Sequence, residues 1–333
     1  MTRRFLFLFA IAVLGVVVTG CQESEPGVKR FAFISNGVAE FWKIAEAGAN
    51  QAGEDFGVEV NVLMPGSLSD QKQMIEDSIT RGMDGVAVSP IDSSNQTDML
   101  NEVAAATLLV THDSDAPDSD RLAYIGMDNY TAGRLCGDLV KEALPDGGEV
   151  MIFIGRMEQD NSRKRRQGVI DAILDRSLDP GRFDPPGEVI KGEKYTILGT
   201  LTDGFDLSQA KANAEDTISR FPDIDAMVGL FVYNPPAILQ ALEQSGKIGA
   251  VKVIGFDEQA ETLAGIQAGT VYGTVVQDPY AYGYESMKLL NEIANGDRSG
   301  LEGGPVISIP GRQIRKANVD AFWADLKAKV GEG

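Results

Sequence analysis

Short apolar runs alternate with longer amphipathic segments along most of the chain. The run at 31–34 is apolar throughout and predicts a buried strand, whereas residues 41–56 repeat apolar positions at helical spacing. That apolar stripe consists of Phe41, Ile44, Ala45, Gly48 and Ala52. The strand-then-helix unit recurs with short connections, which predicts parallel sheets with helices on both faces.

The predicted elements form two groups. In the first group, strands at 31–34, 58–63, 85–88 and 108–111 alternate with helices at 41–56, 70–81 and 95–106. In the second, strands at 122–125, 149–154, 195–200, 226–229, 252–255 and 271–276 alternate with helices at 131–143, 162–174, 207–221, 235–245, 258–268 and 280–295. These strands are too many for one comfortable sheet, so we predict two α/β lobes. A Pro- and Gly-rich loop at 182–192 and a C-terminal helix at 319–330 complete the pattern.

The N-terminus has the zones of a secretory signal. Arg3 and Arg4 precede an apolar run from Phe5 to Val18, and small residues then lead to Cys21. The run of about 14 residues is short for a membrane-spanning helix, which needs roughly 20. The cysteine at the cleavage point resembles that of a bacterial lipoprotein. We therefore expect a signal peptide at 1–20, a lipid on Cys21, a tether at 21–28 and a membrane-anchored location outside the cytoplasm.

Composition excludes several classes of function. The net charge of −19 disfavours binding to phosphate backbones and anionic head groups, so we expect no nucleic-acid partner. One histidine, His112, and two cysteines are too few for a zinc site, and no acidic loop fits the calcium-binding EF-hand spacing. Cys136 lies in a small-residue helix and is expected to be packed. We predict no metal, no cofactor and no catalytic residue.

Polar residues follow the predicted strands, at the edge where parallel sheets bind ligands. They are Ser35, Asn36, 89–92, 112–115, Arg156, Asn234, Asp257 and Gln277. The set is rich in hydrogen-bonding groups and contains no Gly-rich phosphate loop. It therefore suits a neutral, hydroxyl-rich ligand better than a nucleotide.

Four stretches at such strand ends carry a family resemblance. They are Ser89-Pro-Ile-Asp92, Thr111-His-Asp-Ser114, Val253-Ile-Gly-Phe-Asp257 and Val275-Val-Gln-Asp-Pro279. In this order, and behind a lipoprotein-like signal, they resemble periplasmic sugar-binding proteins of the ribose-binding type, the receptors of ABC importers, over about 29–310. The resemblance implies the type I periplasmic-binding fold, with two similar parallel-sheet lobes joined by a three-strand hinge. We assign 29–127 plus 278–304 to the N-terminal lobe and 128–277 plus 305–333 to the C-terminal lobe.

The resemblance also implies polar ligand-binding residues. Asp113 and Asp257 match carboxylates that accept hydrogen bonds from sugar hydroxyls, which charged acceptors do strongly. Arg163 matches a sugar-binding arginine, Asn234 and Gln277 match binding amides, and Asn36 is a further polar contact. Alternatives remain open from the residues alone. Asp257 and Asn234 are also suitable helix N-caps, Asp113 lies in an acidic loop, and Arg163 lies in a basic run.

Aromatic and substituted positions complete the implied site. Phe41 and Trp42 match rings that stack on the C–H faces of sugars, and Phe205 is a candidate ring from the second lobe. Phe41 also begins the apolar stripe, so a core role is the alternative. Ser89 stands where the ribose pattern has asparagine, and Ser114 stands where it has arginine. Ribose itself is therefore not the favoured ligand, and another pentose, a hexose or a sugar alcohol fits as well.

These expectations describe a monomeric solute-binding lipoprotein that captures a monosaccharide or polyol and delivers it to an ABC permease. A sensor that presents its closed form to a chemoreceptor or kinase is the alternative. A sugar hydrolase using Asp113 and Asp257 as an acid–base pair is disfavoured, because both carboxylates match binding roles.

Overall fold

The computed structural model describes residues 27–330. Its strands are β1 (Arg30–Ile34), β2 (Glu59–Leu63), β3 (Gly85–Val88), β4 (Leu108–His112), β5 (Ala123–Gly126), β6 (Gly148–Ile154), β7 (Ile190–Lys191), β8 (Tyr195–Thr202), β9 (Ala226–Gly229), β10 (Lys252–Phe256), β11 (Gly273–Val276), β12 (Val306–Ser308) and β13 (Arg312–Arg315). The predicted signal peptide, Cys21 and most of the predicted tether lie outside the described residues.

Ten α-helices follow within the described residues. They are α1 (Glu40–Phe56), α2 (Leu68–Thr80), α3 (Ser93–Ala106), α4 (Asn129–Ala143), α5 (Asp160–Ile173), α6 (Leu207–Arg220), α7 (Asn234–Gln244), α8 (Ala260–Ala268), α9 (Pro279–Ala294) and α10 (Val319–Lys329). A short 3₁₀ turn spans Ser299–Leu301. Across residues 27–330, no helix combines the length and apolarity needed to cross a membrane.

The strands form two sheets. The first has the order β12-β5-β4-β3-β1-β2 and is parallel throughout. The second has the order β13-β11-β10-β9-β6-β8-β7 and is parallel except at its two edge strands. Central strands such as β3 and β9 are buried along their whole length, because helices cover both faces of each sheet. The predicted α/β class with two parallel-sheet lobes is confirmed.

The chain crosses between the sheets three times. It passes from β5 to α4 at 127–128, from β11 to α9 at 277–278, and from β12 to β13 at 309–311. These crossings correspond to the expected three-strand hinge. One boundary differs from expectation. Residues 305–333 were assigned to the second lobe, but Val306–Ser308 pairs with Tyr124–Gly126 in the first sheet. This three-residue strand is too short for its hydrophobic pattern to reveal its sheet.

Each lobe contains one pair of helices whose backbones touch. In the first lobe, α1 packs on α9, and a methyl group at Gly48 or Gly283 would collide with the carbonyl oxygen of Tyr280 or Ala45. In the second lobe, α4 packs on α5 in the same way. A methyl group added there would collide with the carbonyl oxygen of Arg165 at Gly133, or that of Tyr130 at Gly168. Glycine is required because only hydrogen fits between backbones at this separation.

Other parts of the chain follow the predicted pattern with small shifts. The C-terminal helix is present as α10 and packs Phe322 into the core of the second lobe. Cys136 is fully buried and unpaired, as expected for a packed thiol, and burial raises its pKa to about 12. The predicted loop at 182–192 contains the two-residue edge strand β7. That strand was missed because two residues carry no periodic signal.

Gly168→Ala should destabilise the protein by about 1–3 kcal/mol, because the added methyl group forces α4 and α5 apart. Urea unfolding followed by circular dichroism measures the change. Gly187→Ala is the matched control, since its methyl group meets nothing within 4 Å. Equal stability of the two variants would show that the helix pair relaxes without cost.

Candidate functional site

The carboxyl ends of the two sheets face each other across a cavity of about 520 Å³. The connections after β1, β4, β10 and β11 reach it, as the rule for parallel sheets predicts. Seven of the residues expected to bind ligand line it: Asn36, Phe41, Trp42, Asp113, Phe205, Asp257 and Gln277. Four others do not line it, namely Ser89, Ser114, Arg163 and Asn234, and each has another position described below.

Asp113 is the buried carboxylate of the first lobe. It directly follows β4, and its Oδ2 accepts hydrogen bonds from Asn36 Nδ2 at 3.2 Å and Ser89 Oγ at 3.1 Å. A third bond crosses the cleft, because Asn161 Nδ2 of the second lobe donates to the same oxygen at 3.3 Å. Ser89 therefore does not line the cavity, and it holds the Asp113 carboxylate in place through its hydrogen bond. Ser114 is buried beside it, and its hydroxyl has no hydrogen-bond partner within residues 27–330.

Asp257 is the corresponding carboxylate of the second lobe. It directly follows β10, and its Oδ1 accepts a hydrogen bond from Gln277 Nε2 at 2.8 Å. The Gln277 oxygen accepts in turn from the Tyr282 hydroxyl at 3.1 Å, which fixes the orientation of the amide. Asp257 does not cap the following helix, because α8 begins at Ala260 after Gln259. The alternative N-cap role is therefore not observed.

Arg165 is the buried arginine of the site, and it was missed by the sequence analysis. It lies on α5, lines the cavity, and donates from Nη1 to the Leu230 carbonyl at 2.8 Å and from Nη2 to Asn129 Oδ1 at 2.9 Å. Its guanidinium lies 3.8 Å from the centre of the Phe256 ring. These contacts hold its charge in place, and no carboxylate within residues 27–330 bonds to it directly.

Arg163, the arginine chosen from the resemblance, lies elsewhere. It donates to the carbonyls of Met157 and Glu158 and pairs with Asp160 at the start of α5, about one-third exposed. Asn161 and Arg165 are four residues apart and therefore share one face of the helix. This four-residue spacing from Asn161 distinguishes Arg165 from the other arginines of the basic run, so it could have identified Arg165 from the sequence.

Burial dominates the electrostatics of the site. Desolvation raises the pKa of Asp113 to about 6, opposed by the nearby Arg165 guanidinium and reinforced by the charge of Asp257. Desolvation also raises the pKa of Asp257, again opposed by Arg165. Two desolvated carboxylates around one guanidinium form strong hydrogen-bond acceptors for hydroxyl groups that enter the cavity.

Backbone conformation at the site is unusual. Asp113, Phe205 and Asp257 have φ angles of 56°, 70° and 67°, in the left-handed region that non-glycine residues rarely occupy. Three of the four such non-glycine residues in the described part of the chain therefore line one cavity. Strained conformations of this kind concentrate at binding sites, where the surrounding structure holds them.

Aromatic rings form both walls of the cavity. On the first lobe, Phe41 and Trp42 pack edge to face at 4.8 Å between centroids, and Trp42 also contacts His112. Burial lowers the pKa of His112 to about 3, so this histidine is neutral. Both rings belong to the core and also line the cavity, so the core role of Phe41 is observed and does not prevent contact with a ligand.

On the second lobe, Phe205 packs against Phe231 and Tyr233, with centroids 5.3 and 6.2 Å away. Phe231 and Tyr233 were missed by the sequence analysis, although they directly precede Asn234 at a strand end.

Asp203 fixes this second aromatic wall. Its carboxylate accepts from the backbone N–H of Phe205 at 2.9 Å, the Tyr233 hydroxyl at 2.5 Å and Asn234 Nδ2 at 2.8 Å. The Asn234 oxygen accepts from the Phe231 N–H at 3.0 Å. Both ends of the Asn234 amide are thus bonded to the protein. Its position as first residue of α7, after the N-cap Tyr233, also differs from the proposed N-cap role.

Acids and other metal ligands do not cluster in the part of the chain that the structure covers. No group of three or more His, Cys, Asp or Glu side chains within 27–330 is arranged to hold a metal ion. The cavity therefore offers hydrogen-bond acceptors, one buried guanidinium and apolar ring faces.

Comparison with known proteins gives consistent matches. A family model described as a periplasmic binding protein domain matches residues 31–298. The D-allose-binding periplasmic protein of Escherichia coli (strain K12) is 23% identical over 262 residues, which cover 75% of this chain and 79% of that protein.

Two solved structures are similar over most of the chain. The glucose-galactose binding protein GanP of Geobacillus stearothermophilus aligns with a TM-score of 0.78 at 25% identity, covering 87% of this chain and 98% of GanP. An ABC transporter solute binding protein from Burkholderia graminis, solved in complex with D-arabinose, also has a TM-score of 0.78 at 25% identity. It covers 87% of this chain, and the alignment includes 96% of that protein.

Asp203→Asn should destabilise the protein by about 1–3 kcal/mol. The new side-chain NH2 group would face N–H and O–H donors whose hydrogen bonds the carboxylate accepts in the wild type. Urea unfolding measures the loss, and near-ultraviolet circular dichroism reports the loosening of the aromatic wall. Asp223→Asn, an exposed position on the same lobe, is the control. If the Asp203 variant matched this control in both measurements, Asp203 would not organise the wall.

Proposed function

The chain belongs to the family of periplasmic binding proteins, and on that basis we propose that it captures a sugar outside the cytoplasm for import. In this proposal a monosaccharide or related polyol binds in the cavity between the lobes. The lobes then close about the three crossings, and the closed form docks on an ABC transporter permease. The predicted lipid on Cys21 would keep the monomeric receptor at the membrane.

The observation that carries the proposal is the pair of buried carboxylates on opposite lobes. Asp113, Asp257 and Arg165 line the cavity together, the Arg165 charge opposes the rise in the pKa of both carboxylates, and aromatic rings line the cavity on both lobes. Sugar hydroxyls donate to carboxylates and accept from a guanidinium, while the C–H faces of the sugar stack on rings. A ligand that fails to pair these buried groups is penalised, which provides specificity without any chemical reaction.

The relatives support a transport role over the sensor alternative. Their names describe a D-allose-binding periplasmic protein and an ABC transporter solute binding protein solved with D-arabinose. These proteins bind different monosaccharides, so the particular sugar depends on the residues of each cavity. The proposed ligand for this chain is therefore a class, hydroxyl-rich monosaccharides and polyols.

A thermal-shift panel of monosaccharides and polyols tests the proposal, because a ligand that binds only the folded protein raises its melting temperature.

Calorimetry on the best sugar should then show that Asp257→Asn weakens binding by about 1.5–3 kcal/mol, the scale of a lost charged hydrogen bond. Arg163→Gln lies outside the cavity and should bind as the wild type does. The absence of any hit, or equal binding by both variants, would count against the proposal.

Binding should depend on pH through Asp113. Burial raises the pKa of this carboxyl to about 6, and hydroxyl donors from a sugar favour the ionised form. Binding therefore lowers the pKa, and affinity should fall by about tenfold between pH 7 and pH 5. Asp113→Asn should lose the part of the dependence centred near pH 6. If the affinity of the wild type did not change over this pH range, Asp113 would not be the source of the pH dependence.

A further inference from the structure

The space between the lobes continues beyond the cavity described above. A second cavity of about 590 Å³ adjoins the first and shares Ile91 and Arg156 with it. Both lobes line it, with Leu68 and Asp92 from the first and Pro186 and Thr202 from the second. Each cavity is within the range of about 300–1,000 Å³ that small-molecule sites occupy. Together they exceed what one sugar ring requires.

Arg156 stands at the junction of the two cavities with unused hydrogen-bond donors. It follows β6, its Nη2 donates to the Gly204 carbonyl at 3.0 Å, and its guanidinium lies 5.0 Å from the centre of the Phe205 ring. Within residues 27–330, no carboxylate lies within 4.0 Å of it, and its Nε and Nη1 bond to no protein atom. A guanidinium fixed in this way presents a planar pair of donors to a ligand.

The second cavity supplies acceptors and a small hydroxyl group. Asp92 caps α3 by accepting from the Asn95 N–H through Oδ1, and its Oδ2 accepts from Asn95 Nδ2. Glu158 is exposed, and its carboxylate accepts no hydrogen bond within the described residues. Thr202 is exposed at the end of β8. Two carboxylates in a protein of net charge −19 disfavour an anionic group here. The donors and acceptors together fit neutral hydroxyl groups.

We propose that the second cavity is a second sugar subsite, so that this protein takes a neutral disaccharide. One ring lies between Asp113 and Asp257, the second ring lies beside Asp92 and Thr202, and Arg156 donates to oxygens near the linkage. This inference rests on the proposed function and narrows its ligand class.

Matched sugars test the second subsite by calorimetry. The probes are D-glucose with cellobiose and maltose, D-xylose with xylobiose, and D-galactose with lactose. At least one disaccharide should bind about tenfold more tightly than its own monosaccharide. Thr202→Phe fills the second cavity from an exposed strand position and should remove that advantage, while monosaccharide affinity stays within about threefold. Thr80→Phe, exposed and outside both cavities, is the control.

Arg156→Gln gives an independent test, because it replaces the planar pair of guanidinium donors at the junction with a single amide. Arg156 also lines the first cavity, so the quantity to compare is the ratio of the two affinities: disaccharide binding should weaken by about tenfold or more relative to binding of its own monosaccharide. Monosaccharide binding without a disaccharide advantage would overturn the second subsite and leave the proposed function intact. If a disaccharide still bound more tightly than its own monosaccharide in the Thr202→Phe variant, the second subsite would also be overturned. No binding by any sugar would overturn both.

Discussion

Direct backbone contact between paired helices is the constraint on which the rest of the molecule depends. Glycines on α1 and α9, and on α4 and α5, allow this contact in each lobe. The first turn of α1 carries Phe41 and Trp42, and the first two turns of α5 carry Asn161 and Arg165. Cavity residues on both lobes are therefore positioned by helices whose separation is fixed by glycines that leave no side chain between them. Rigid support of this kind is what a precise binding site requires.

The buried carboxylates that suit the cavity for ligand binding lower the folding stability of the protein. The folded-state pKa of Asp113 is above its ordinary value, so its ionised form lowers the free energy of unfolding above about pH 6, and that stability returns as the pH falls. Arg165 opposes this cost for both carboxylates. The left-handed backbone at Asp113 and Asp257 adds strain. A ligand that pairs these groups recovers part of the loss.

Much of the site was predictable because strand ends in parallel sheets converge. Asn36, Asp113, Asp257 and Gln277 each follow a predicted strand, and the structure places all four in one cavity. Arg163 was chosen from the family resemblance, because the basic run contains several charges that the residues alone do not distinguish. Only the packing of α5 decides which of them lines the cavity. Asn234 was expected to contact ligand, but its amide is occupied by Asp203 and Phe231, a pairing between distant segments that no local pattern reveals.

The sequence by itself determined the α/β class, the two lobes and the edge at which ligand-binding residues gather, because hydrophobic periodicity and strand order are local properties of the chain. Tertiary structure alone decided which arginine of the basic run lines the cavity, that Val306–Ser308 joins the first sheet, and that Phe231 and Tyr233 complete a wall. It also decided that a second cavity adjoins the first at Arg156. These features arise from contacts between residues far apart in sequence, whose geometry depends on how the two lobes pack and face each other.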